Sequence, residues 1–141
     1  MDFIKPQIAY CDGYKYQLRE LHCDTLDFAP TATIITDYLY FDTACNFKIE
    51  KGYAWDGPSG LTIDSKDFMR GSLVHDALYQ LMREGHLDHD KVRDLADRTL
   101  QRICVEDGMS TFRAWYVYHG VRIFGNPFAD PANDKPVIFA P

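Results

Sequence analysis

Hydrophobic positions along the chain change their period near residue 57. Before it they alternate. Tyr14, Tyr16 and Leu18 interleave with Lys15, Gln17 and Arg19, and a period of two with aromatics marks a half-buried strand. Residues 33–41 are rich in Thr, Ile and Tyr and predict another strand. Asp42-Thr43-Ala44 predicts a turn, after which Cys45, Phe47 and Ile49 interleave with Asn46, Lys48 and Glu50. These segments predict a small antiparallel sheet of three to five strands.

The segment Gly57-Pro58-Ser59-Gly60 ends this pattern, because Pro and Gly interrupt a strand. Helical spacing follows. Asp64 or Ser65 can cap a helix over 66–84, with Phe68, Val74, Leu78, Leu81 and Met82 as its apolar stripe and Gly85 as its stop. Asp88 can cap a second helix over 89–106, striped by Val92, Leu95, Ala96, Thr99, Leu100 and Ile103 and ended by Asp107-Gly108. Ser110 can cap a third, to about 124, that puts Phe112, Trp115, Tyr116, His119 and Ile123 on one face. The aromatic face is read as its packed side, with His119 a packed histidine. Gly125-Asn126-Pro127 stops the helix, and the proline-containing tail over 126–141 is expected to be extended. The expected fold class is α+β: sheet over 1–56, Gly/Pro loop over 57–65, three helices over 66–125, then the tail, in one domain.

Charge and composition narrow the function classes. With 141 residues the chain can bury a core without staples. A net charge of −6 argues against broad nucleic-acid binding, which needs a basic face to displace counterions. No apolar run approaches the roughly 18 residues of a membrane span. The start, Met1-Asp2-Phe3-Ile4-Lys5-Pro6, lacks the basic and apolar regions of a signal peptide, so a cytosolic location is expected unless the chain joins a larger particle. Cys11, Cys23, Cys45 and Cys104 form no close pair and are expected to be reduced, partly buried thiols.

The candidate chemistry sits in Val74-His75-Asp76-Ala77-Leu78-Tyr79. Residues four apart share a helix face, which joins His75 to Tyr79. The short connection predicts an antiparallel second helix, bringing its interior Asp97 opposite. A neutral imidazole can take a proton from water near neutral pH, and a carboxylate that fixes its tautomer improves it. Asp97 is the candidate orienter, Tyr79 its hydroxyl support, and Asp76 is left to bind a hard cation together with carbonyls of the Gly57–Gly60 loop. The alternative is a structural hydrogen-bond network at a helix contact. His86 and His89, flanking Asp88, read as a polar helix connection rather than a metal site. Arg98 and Arg102 share a face and read as a solvated, ion-paired surface rather than an anion site.

Two resemblances bear on these residues. The series Gly52-Tyr53-Ala54-Trp55-Asp56-Gly57-Pro58-Ser59, Leu73-Val74-His75-Asp76-Ala77-Leu78-Tyr79, Ala96-Asp97 and Arg113-Ala114-Trp115 resembles a domain family of tailed phages and prophages that has no assigned function. It spans about residues 45 to 125 and departs from the family's turn at Pro58. The resemblance implies a phage-encoded protein. The His-Asp-x-x-Tyr helix followed by Ala96-Asp97-Arg98 is also similar to phospholipases of the A-two type, including the domain in parvovirus capsids. That similarity implies His75 as base, Tyr79 and Asp97 as its support, Asp76 as a calcium ligand, and Gly57 and Gly60 in the calcium loop. The cysteine framework of the secreted enzymes and their loop glycine pattern are missing. The expected function is a calcium-assisted esterase or phospholipase-like hydrolase. The alternative is a phage accessory protein that binds a virion component or a host protein and uses the His-Asp-Tyr network structurally.

Overall fold

Six short strands precede three helices in the computed structural model, which describes residues 16–55, 65–125 and 129–130. The fold class is α+β, as the change of period predicts. Strands β2 (His22–Thr25), β5 (Asn46–Ile49), β4 (Leu39–Phe41) and β3 (Ile34–Ile35) form an antiparallel sheet in that order. Strands β1 (Tyr16–Gln17) and β6 (Ala54–Trp55) make a separate two-stranded ribbon. The ribbon's pairing continues through Leu18, whose N–H donates to the Tyr53 carbonyl at 2.7 Å.

Register decides which side chains reach the core. Opposed residues in antiparallel strands share a face. One row runs Asp24, Phe47, Phe41, Ile34 and the next His22, Ile49, Leu39. The apolar members of both rows are buried, while Cys23, Lys48, Tyr40 and Ile35 face outward. The strand expected over 33–41 is a hairpin instead. The Thr36 N–H donates to the Leu39 carbonyl and the Leu39 N–H to Thr36 Oγ1, which closes a turn around Asp37. Cys45, expected in a strand, holds the left-handed position of the next turn at φ 70°. Asp42 Oδ1 organises that turn by accepting the Ala44 and Asn46 N–H groups. Among the described cysteines, Cys23 is exposed, Cys45 half-buried and Cys104 buried, and all three are free.

Helix α1 (Lys66–Arg83) lies between the sheet and the other helices. Its Val74, Leu78, Leu81 and Met82 join the sheet's inner rows in one core, and Phe68 joins a second with α2 and α3. The Trp55 indole donates to Ser72 and the Tyr53 hydroxyl to Gln80, tying the β6 end of the sheet region to α1. At the far edge Asp24 accepts from Arg70, which also reaches Glu106 and Asp107 of the α2 end. Helices α2 (His89–Glu106) and α1 both end in a left-handed glycine. Gly85 and Gly108 have φ 83° and 105°, and the next residue's N–H caps the Leu81 and Cys104 carbonyls. Asp88 caps α2 as expected, its side chain accepting from Asp90 and Lys91. Ser65 stands at the N-cap of α1, but its hydroxyl donates to the Asp67 carboxylate instead of accepting a helix N–H; Asp64 lies outside the described residues.

Helix α3 (Thr111–Phe124) has the expected bounds and the opposite orientation. Its buried residues are Ala114, Val117 and Val121. Phe112 is 74% exposed and Trp115 51%, and Tyr116, His119 and Ile123 are also exposed. His119 lies against Trp115 at a tilt of 59°, with centroids 4.5 Å apart, instead of packing in the core. The small and β-branched face, Ala114, Val117 and Val121, packs instead with Leu100 and Cys104 of α2, where short side chains fit a dense helix contact. Leu95 of α2 is likewise more exposed than its stripe predicts. No helix among the described residues is long and apolar enough to cross a membrane.

Candidate active site

Helices α1 and α2 cross closely because Gly71 has no side chain. A Cβ there would lie 2.9 Å from Cys104 Sγ and 3.0 Å from Leu100 Cδ1. One turn further along α1, His75 meets Asp97; after another turn, Tyr79 meets Asp97 and Arg93. Residue numbers rise on α1 as they fall on α2, so the pair is antiparallel and the expected juxtaposition forms.

Asp97 is wholly buried and is the hub. Its Oδ1 lies 2.7 Å from His75 Nε2 and accepts the Tyr79 hydroxyl at 2.5 Å. Its Oδ2 accepts Arg122 Nη1 at 3.0 Å. With every other partner donating, the proton between His75 and Asp97 belongs on Nε2, since two lone pairs facing each other would repel. The neutral ring therefore carries its lone pair at Nδ1. That nitrogen lies 3.9 Å from Asp76 Oδ1. The ring of His75 also packs on that of Tyr79, with centroids 4.1 Å apart.

Electrostatics follow from this geometry. Burial alone pushes the His75 pKa down, but Asp76 and Asp97 together outweigh it and hold it above the ordinary 6.5. Burial and the Asp97 charge push Tyr79 ionisation far up, against the opposing pull of Arg93, so Tyr79 remains a donor. Burial pushes the Cys104 thiol up to about 12, which makes it a poor nucleophile.

The remaining candidates divide. Asp76 is half-buried beside His75, as the helix spacing requires. Gly57 and Gly60 lie outside the described residues. Calcium takes six to eight oxygen ligands. Among the described residues no group of three or more His, Cys, Asp or Glu is placed to hold a metal, and Asp76 alone does not make such a site. His89 pairs with Asp90, and Arg98 and Arg102 pair with Asp94 and Glu106 four residues away. Arg98 makes the exposed pair that the sequence suggests, whereas Arg102 is largely covered and also meets Asp27 at 2.8 Å.

Two site residues escaped the sequence reading. Arg122 reaches Asp97 from α3, and Arg93 Nε donates to the Tyr79 hydroxyl at 3.2 Å. Arg93 Nη2 also donates to the Val121 and Arg122 carbonyls, each at 2.7 Å. The available signal was that Arg122 follows Ala114 and Tyr118 at helical spacing, on the small-residue face of α3. Comparison with protein-family models, curated proteins and solved structures finds no match to this chain.

Proposed function

We propose that this chain is a phage-encoded hydrolase in which His75 activates water for attack on a carboxylic ester. The observation that carries the reading is the division of labour on the imidazole. Nε2 faces a buried carboxylate, and in the neutral ring Nδ1 is the nitrogen that carries the lone pair a general base needs. In the reaction, Nδ1 takes a proton from water as its oxygen attacks the ester carbon. The resulting imidazolium is stabilised by Asp97, whose position Tyr79 supports. Collapse of the tetrahedral intermediate breaks the bond to the alkoxide, which takes the proton from Nδ1, regenerating the neutral ring. The order His75, Asp76, Tyr79 and Asp97 resembles the phospholipases of the A-two type, which makes phospholipid esters the first substrates to test. By the same resemblance, calcium is a candidate electrophile beside Asp76, with Gly57 and Gly60 as candidate loop carbonyls.

The experiment is hydrolysis of phospholipid vesicles and short-chain esters by the parent and by His75→Ala, each with calcium or with chelator. The proposal expects turnover by the parent, a fall of about a hundredfold or more in the variant, and loss on chelation. Equal rates for the two proteins would sink the hydrolase reading. Equal parent rates with and without chelator would sink calcium alone.

One observation favours a second reading. His75 is only 7% exposed and Asp97 not at all. A network so enclosed also suits a non-enzymatic accessory protein in which it fixes the helix packing, with a phage structural component or host protein as partner. In that case His75→Ala lowers the melting temperature and no reaction is lost.

A further inference from the structure

Asp97 of α2 is gripped by two residues of α1 and one of α3, and the grip from α3 lies outside the His-Asp-x-x-Tyr order. His75 and Tyr79 share Oδ1, and Arg122 Nη1 alone holds Oδ2 among the bonds described. A carboxylate is planar, so a donor fixed on one oxygen sets where the lone pairs of the other point. Arg122 is itself confined. Its carbonyl and that of Val121 accept from Arg93, which ties the last turn of α3 to α2. Its Nε lies 3.7 Å from Asp94 Oδ1. Asp94 is held in turn by the Tyr118 hydroxyl at 2.5 Å and by Arg98 Nε at 2.7 Å. The guanidinium is therefore set between two carboxylates of α2 one helical turn apart, with its backbone anchored by a second arginine.

We propose that Arg122 is a positioning residue for His75, acting through Asp97. It fixes the plane of the carboxylate so that Oδ1 stays on Nε2 and the ring keeps its lone pair at Nδ1. This rests on the reading of His75 as the base. It adds α3 to the site, and it gives the third helix a part in the chemistry that packing alone would not require. Lysine would keep the charge but not the fork that spans Asp97 and Asp94. Glutamine would remove the charge.

The test uses the full chain, isotope-labelled, at one fixed pH. The Nε2–H proton of His75, buried against Asp97, is expected as a slowly exchanging resonance. In Arg122→Gln its exchange with water should speed by about tenfold or more relative to the backbone amides of α1. Arg122→Lys should recover part of the protection. A uniform rise across α1, with no excess at the ring, is the mark of a helix latch and overturns the proposal. Should Arg122→Gln fail to fold, the coupling is read from the other end, because it is reciprocal. In His75→Gln the Arg122 guanidinium resonances shift if Asp97 links the two residues, and an unmoved guanidinium overturns the proposal. These readouts do not depend on turnover. A protein without esterase activity but with the coupled resonances loses the hydrolase reading and keeps the Asp97 linkage; an active one without coupling does the reverse.

Discussion

Asp97 has two oxygens and three donors, and each donor comes from a different position on the helices. Tyr79 contributes one bond that can be removed with little change of shape. Tyr79→Phe deletes the donor to Asp97 and the acceptor for Arg93, so chemical denaturation should show a loss of about 1–3 kcal/mol. A second residue-scale prediction concerns pH. Burial works against the Asp24 carboxylate, but His22 and Arg70 outweigh it and hold its pKa below the ordinary 3.8. A carboxyl depressed in the folded state stabilises the fold above its unfolded pKa, and that contribution is lost as pH falls through the folded value. The melting-temperature gap between the parent and Asp24→Asn should therefore be widest near neutral pH and should narrow below 3.8. A gap that is constant with pH would contradict the ion pairing of Asp24 with Arg70. His75, Tyr79 and Asp97 were legible in the sequence because helical spacing and a short antiparallel connection place them together. Arg122 was not, because its partner lies on another helix and its role depends on which way α3 turns.

At the scale of elements, the close crossing of α1 and α2 sets the distance between His75 and Asp97. Gly71→Ala would put a methyl group within 2.9 Å of Cys104 Sγ. Overpacking of this kind should cost about 1–3 kcal/mol and should disturb the site one turn away. Denaturation with and without Cys104→Ala, which makes room, checks the cause. The helices were readable almost to the residue because their ends carry local chemistry: Asp88 and Ser110 at N-termini, Gly85 and Gly108 at C-termini. The strands were less so. Strand β2 carries His22 and Asp24 on the inner face, where hydrophobic alternation would put apolar residues; Asp24 meets Arg70 there, and His22 pairs with Asp24. Thr36 breaks the apolar run over 33–41 through a side-chain turn that no period reveals.

At the scale of the whole molecule, α3 presents two faces of comparable periodicity, and packing selects the smaller one. Trp115→Ser, on the exposed face, should change stability by less than about 0.5 kcal/mol. Val117→Ala, on the buried face, should cost about 2 kcal/mol. The reverse order would mean that the aromatic face is packed after all. The same orientation turns Arg122 inward and completes the enclosure of Asp97, so fold and site are decided together. The central claim is that Asp97 prepares His75 to act as a base. Its most direct test is Asp97→Asn, with turnover and melting temperature measured on the same preparation. If the claim holds, ester turnover by the folded variant falls by about a hundredfold or more, because an amide no longer supports the imidazolium. A folded variant that hydrolyses ester at the parent rate would contradict it.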